Sequence, residues 1–71
     1  MPAFPLESRV HLTRDLPYID KTFPSGTCAT VKEAHEVGTV VWYRVQFDKD
    51  SGPLRLVRED FLMAGCSSDA A

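Results

Sequence analysis

The sequence predicts an all-β fold, a small barrel of short strands, and three observations lead to it. Short segments alternate polar and apolar side chains, which is the period of a strand. Turn-forming residues separate these segments, with glycine at positions 26, 38, 52 and 65. No segment keeps the 3.6-residue period of a helix over about ten residues without Gly or Pro.

The first strand is predicted at residues 9–14, where Val10 and Leu12 point one way and the polar side chains point the other. Residues 15–26 then form a connection of twelve residues, long for a compact domain. Some of its large apolar side chains must fold back over one end of the barrel. They are Leu16, Tyr18, Ile19 and Phe23.

A central hairpin follows, with strands predicted at residues 27–34 and 39–47 and a turn at residues 36–38. The second of these strands has two distinct faces. The face uninterrupted by charge is the predicted core face: Val41, Tyr43, Val45 and Phe47. The opposite, outer face has the remaining side chains: Val40, Trp42, Arg44 and Gln46.

The last third of the chain completes the pattern. Residues 48–53 are of the types that favour turns, and residues 54–57 after them predict a fourth strand. Residues 58–60 predict a single helical turn, and residues 61–64 predict a fifth strand. Five short strands, a long first loop and a helical turn before the last strand are the pattern of an SH3-like barrel. The predicted domain spans residues 7–65, with flexible termini at 1–6 and 66–71.

Four stretches of the chain carry a resemblance to a known family: VHLTRDLP at 10–17, GTCATV at 26–31, YRVQFD at 43–48 and VREDFL at 57–62. Over roughly residues 7–64 the chain resembles small uncharacterised bacterial proteins of the DUF4926 type. The resemblance implies an SH3-like barrel and no activity. In such barrels a second glycine usually stands where this chain has Ala29, so we expect a backbone without positive φ there, or a milder bend.

A chain of 71 residues has a thin core and usually needs a disulfide, a metal or oligomerisation to be stable. Two cysteines without a secretory signal are more typical of two reduced thiols, although a disulfide forms if the tail folds back. Metal ligands are not predicted, because Cys28, Cys66, His11 and His35 lack paired spacing. Oligomerisation, with a dimer preferred, is therefore the expected source of added stability.

Composition bears on location and partners. The N-terminus lacks the features of a signal peptide and no apolar run is long enough for a membrane span, which predicts a cytoplasmic, bacterial protein. The net charge of −2 argues against nucleic acid as a partner, and no cofactor is predicted. A basic patch remains conceivable if the fold gathers certain scattered cations: Arg9, Arg14, Lys32, Arg44 and Arg55.

The outer face of the third strand is the best candidate for a functional surface. Trp42 either forms an exposed apolar patch, typical of an interface, or lies half-buried under the long loop. The predicted partner-binding residues are Trp42, Val40, Arg44, Tyr18 and Phe23. No catalytic residue is predicted, and His11 and His35 are expected to be solvated. The predicted function is a non-catalytic protein-interaction module that self-associates; the alternatives are a nucleic-acid-binding barrel and a small oligomeric enzyme.

Overall fold

The computed structural model describes residues 3–48 and 50–66 of the chain. Nearly all of its regular structure is strand, so the all-β prediction is confirmed. The strands are β1 (Arg9–Leu12), β2 (Leu16–Pro17), β3 (Thr22–Phe23), β4 (Cys28–Val37), β5 (Val40–Phe47), β6 (Arg55–Arg58) and β7 (Leu62–Ala64). A 3-10 turn, Glu59–Phe61, separates β6 from β7.

Five of these strands form one antiparallel sheet in the order β6-β5-β4-β1-β7. Strands β4, β5 and β6 follow each other as a meander, whereas β7 returns to pair with β1. Within the described residues no ladder joins β6 to β7, so the pairing leaves the sheet open. The remaining two strands, β2 and β3, form a small hairpin within the first loop.

The central hairpin is longer than predicted because β4 extends to Val37. Its turn is Gly38-Thr39, with Gly38 at φ +63°, a conformation that favours glycine at the first central position of a two-residue hairpin. The register shifts between Val31 and Glu33, where a β-bulge bends the strand. Ala29 does not have a positive φ, in agreement with the expectation at that position.

The first loop closes one end of the core through its hairpin. Phe23 is only 4% exposed and stacks on Phe47 with ring centroids 4.2 Å apart. Leu16 and Tyr18 pack against the core from its margin. Ile19 stands fully exposed at the hairpin tip, so only part of the predicted apolar set folds back.

The core lies on the inner face of the sheet and follows the predicted alternation. Its buried members are Val10, Leu12, Phe23, Ala29, Val31, Tyr43, Val45, Phe47, Val57 and Leu62. Val41, predicted with them, is partly buried at the edge of this cluster.

The N-terminal segment packs on the core at Tyr43. The Tyr43 hydroxyl donates to the Glu59 carboxylate at 2.7 Å and accepts hydrogen bonds from the amides of Ala3 and Phe4. The Phe4 ring lies 5.3 Å from the Tyr43 ring. The packed body therefore begins before residue 7, where the sequence had placed the domain boundary.

Cys28 and Cys66 form a disulfide with their Cα atoms 5.7 Å apart, within the range that such a bond requires. The prediction of two reduced thiols is therefore wrong. The chain turns at Gly65, whose φ is +89° and whose amide donates to the Arg9 carbonyl. This turn carries Cys66 from the end of β7 past β1 towards β4. The packed body thus includes Cys66, and residues 67–71 lie outside the described part.

Candidate interaction surface

The outer face of β4, β5 and β6 carries an apolar group centred on Trp42. Trp42 pairs with His35 on one side and Arg58 on the other, so these three side chains share a face. The same alternation places further apolar side chains on this face. We call the set of Val37, Val40, Trp42 and Leu56 the outer patch. Val37 is 64% exposed and Leu56 46%, whereas Val40 and Trp42 are half-buried.

Charged side chains of both signs border the outer patch. The Arg58 guanidinium lies 5.9 Å from the Trp42 ring centroid and pairs with Asp60 at 3.1 Å. The Glu33 carboxylate lies 3.0 Å from the His35 ring and 3.9 Å from the Arg44 guanidinium. All of these side chains are about half exposed, so each ion pair contributes little to stability on its own.

Two predicted interface residues lie elsewhere. Phe23 is buried in the core on the inner side of the sheet, so it is not available to a partner. Tyr18 lies edge-on to Phe23, with centroids 5.8 Å apart, and its hydroxyl donates to the Leu56 carbonyl. The first loop therefore packs over the end of the core near Phe47, and Trp42 lies on the opposite face of β5 from that packing.

The first loop is held to the core by Arg55. Its guanidinium binds the Asp50 carboxylate at 2.8 Å and the Asp20 carboxylate at 2.8 and 2.7 Å. These hydrogen bonds lower the pKa of Asp20 to about 2, and they also lower the pKa of Asp50. Asp50 is 5% exposed, and the side-chain amide of Gln46 donates to its carbonyl. No local pattern in the sequence indicates this cluster, because its carboxylates come from two separate loops.

An open groove of about 480 Å³ runs beside the first loop. Its walls include Phe23 and Pro24 on one side, Asp48 on the other, and Cys28 of the disulfide. Lys21 at the rim is engaged with the Asp50 carboxylate at 3.5 Å. The sequence did not predict this groove, whose lining runs from Lys21 in the first loop to Cys28 at the start of β4.

Four of the five basic residues that were considered for a patch are instead paired with acids. Salt bridges join Arg9 to Asp48 and Lys32 to Glu7. Arg44 and Arg55 have the carboxylate partners described above, and Arg14 lies over the ring of Phe61 at 4.7 Å. The fold therefore disperses these cations, four of them beside acids and one on an aromatic ring.

The histidines lie apart from one another. His11 Nδ1 is 2.9 Å from the Gly65 carbonyl, while His35 lies near the far end of the central hairpin. Among residues 3–48 and 50–66, no three His, Cys, Asp or Glu side chains converge to hold a metal ion. No helix in the described part of the chain is long and apolar enough to cross a membrane.

Comparison of the chain with protein-family models, curated proteins and solved structures finds no match. The resemblance to the DUF4926 type therefore stays a prediction.

Proposed function

We propose that the protein is an SH3-like barrel acting as a non-catalytic interaction module that self-associates through the outer patch. The strand order supports the fold proposal, since the last strand lies beside the first and the other three follow as a meander. A hairpin inside the long first loop and a 3-10 turn before the last strand add to this support.

The outer patch is the observation that carries the functional proposal. Four apolar side chains, including the only tryptophan of the chain, lie on one sheet face among charged neighbours, and two of them, Val37 and Leu56, are 64% and 46% exposed. Contiguous exposed apolar side chains within a polar border are typical of protein interfaces. Tryptophan is among the residues that most often dominate binding energy.

A second copy of the chain is the partner that this surface fits. Its border carries Glu33 and Asp60 next to Arg44 and Arg58, so both signs of charge are present. In a two-fold dimer the same patch meets itself, and a face with both signs can match its acids to the partner's bases. A depression of about 180 Å³ beside Val40 and Arg58 could receive a side chain from the second copy.

Tryptophan fluorescence and sedimentation equilibrium test the proposal together. With one tryptophan in the chain, emission reports on residue 42 alone. We expect the average mass to rise towards that of a dimer between low and high micromolar concentration, with a blue shift of the emission. Trp42→Ala should weaken association at least about tenfold, as for a residue at the centre of an interface.

Met63→Ala is the matched control, because Met63 is 57% exposed on β7, away from the outer patch. It should leave the association constant unchanged. A protein that stays monomeric at high micromolar concentration would contradict self-association, and equal losses in both variants would contradict the location of the interface.

The pairing of basic side chains with acids favours this proposal over a nucleic-acid-binding barrel, since nucleic-acid affinity comes mainly from cations that contact phosphates.

The disulfide bears on location. Disulfides persist mainly in oxidising compartments, so Cys28–Cys66 supports such a setting over the predicted cytoplasm.

A further inference from the structure

The two sulfurs of the disulfide have different surroundings. Cys28 lies in β4 and is 7% exposed. Cys66 lies in the short segment after β7, which we call the strap (Gly65 and Cys66), and is only half-buried. A thiol in solution therefore reaches the Cys66 sulfur more readily than the Cys28 sulfur.

A fixed cation lies beside Cys66. The Arg9 guanidinium lies 3.9 Å from the Cys66 sulfur. The other contacts of this guanidinium hold it in place: it donates to Asp48 Oδ1 at 2.7 Å and to Thr30 Oγ1 at 2.9 Å. A neighbouring cation favours the thiolate form of a cysteine and stabilises negative charge on sulfur.

We propose that Cys66 is a thiol–disulfide exchange site, at which a low-molecular-weight thiol such as glutathione forms a mixed disulfide. The incoming thiolate attacks the Cys66 sulfur, the bond between Cys66 and Cys28 breaks, and Cys28 leaves as a thiolate that takes a proton from water. In the reverse step the Cys28 thiolate attacks the Cys66 sulfur and expels the small thiol. Negative charge lies mainly on the attacking and leaving sulfurs during exchange, and Arg9, 3.9 Å from Cys66, stabilises the charge of the incoming thiolate as it reaches the Cys66 sulfur.

Exchange would change the surface around the strap. The disulfide ties the strap to β4, and Cys28 lines the groove beside the first loop. Gly65 of the strap keeps its hydrogen bonds with Arg9 and His11 when the disulfide opens. A mixed disulfide at Cys66 therefore detaches Cys66 from β4 and places the thiol of the buried Cys28 beside the groove.

Peptide mapping identifies the sulfur that is attacked. The oxidised full-length protein is incubated with glutathione, quenched with N-ethylmaleimide, digested and analysed by mass spectrometry. We expect glutathione on Cys66 and N-ethylmaleimide on Cys28 as the main singly exchanged product. Glutathione mainly on Cys28, or no mixed disulfide at millimolar glutathione, would overturn the proposal.

Two charge variants distinguish the electrostatic role of Arg9 from simple loosening of the strap. Arg9→Gln should slow exchange several-fold, whereas Asp48→Asn, which removes the acidic partner of Arg9, should not slow it. Loosening alone would accelerate exchange in both variants. Arg9→Lys should restore most of the rate, and Arg14→Gln, at a cation away from the disulfide, should leave it unchanged. Equal rates in Arg9→Gln and the unmodified protein would show that Arg9 has no part in the step.

Discussion

Arg55 is the residue that connects the first loop to the core. Its side chain is 13% exposed and reaches one carboxylate from the first loop, Asp20, and one from the loop before β6, Asp50. It also lies over the rings of Tyr18 and Phe23, at 4.9 and 5.4 Å. One guanidinium thus packs on two aromatic rings and forms two ion pairs, because this planar group has hydrogen-bond donors at its edge and a flat face that stacks on aromatic rings.

The pKa shifts caused by Arg55 predict a loss of stability in acid. The folded-state pKa of Asp20 is lowered to about 2, below its ordinary value near 3.8. A carboxyl group with a depressed folded-state pKa stabilises the fold fully above its unfolded-state pKa and loses that contribution as the pH falls through the folded-state value. The free energy of unfolding should therefore fall between about pH 4 and pH 2.

Urea unfolding at several pH values, with the Asp20→Asn variant alongside, measures this effect. At neutral pH the variant should be less stable than the unmodified protein. The difference should shrink as the pH approaches 2, where Asp20 becomes neutral as well. A difference that is the same at every pH would show that the pairing with Arg55 is not its cause.

At the scale of the element, the β4–β5 turn depends on one glycine. Gly38 has φ +63°, and a Cβ atom placed there would meet nothing within 4 Å. The cost of Gly38→Ala is therefore conformational and should be about 1–2 kcal/mol of unfolding free energy, since residues with a Cβ atom disfavour this region. Thr39→Ala, at the adjacent turn position, should change stability by less than about 0.5 kcal/mol. Chemical denaturation of both variants checks this, and equal effects would contradict it.

The alternation of polar and apolar side chains predicted the long strands, because each of these strands has one buried face. β1, β5 and β6 begin within about one residue of their predicted starts, and Tyr43 and Val45 lie inside as expected. The end of β4 was placed too early, since residues 32–37 lie beyond the bulge and are mostly exposed. The alternation of polar and apolar side chains therefore stops marking a strand at the point where its buried face ends.

The hairpin of the first loop and the disulfide could not be predicted by the same reasoning. β2 and β3 have two residues each, too few to show a period. The disulfide depends on Gly65, which turns the chain after β7, and on β7 pairing with β1 next to β4. The turn at Gly65 and the pairing of β7 with β1 bring Cys66 to Cys28 only in the folded chain, so a short stretch of sequence does not reveal the disulfide. Trp42 lies on the outer face as predicted, whereas Phe23, predicted both to fold back over the barrel and to bind a partner, lies in the core.

At the scale of the whole molecule, the disulfide compensates for a thin core. It joins two residues separated by 38 positions and ties the end of the last strand to β4, two strands away in the sheet. In the loop-entropy description, a cross-link of this length destabilises the unfolded chain by about 4 kcal/mol. A domain below about 80 residues rarely gains more than about 3–5 kcal/mol from its core alone. The two contributions are therefore of similar size.

Reduction should consequently lower the stability of the protein by about half. We expect the unfolding free energy to fall by about 3–4 kcal/mol on treatment with dithiothreitol. Because the core cluster that holds Phe23, Tyr43 and Phe47 contains neither cysteine, the molecules that stay folded should keep the aromatic bands of the near-ultraviolet circular dichroism and lose only the contribution of the disulfide itself. Urea titrations of the oxidised and reduced forms measure the loss, with the Cys28→Ala/Cys66→Ala double variant as the control. The reduced protein and the double variant should have the same urea midpoint, since both lack the cross-link. A midpoint in both that equals that of the oxidised protein would show that the core is sufficient by itself.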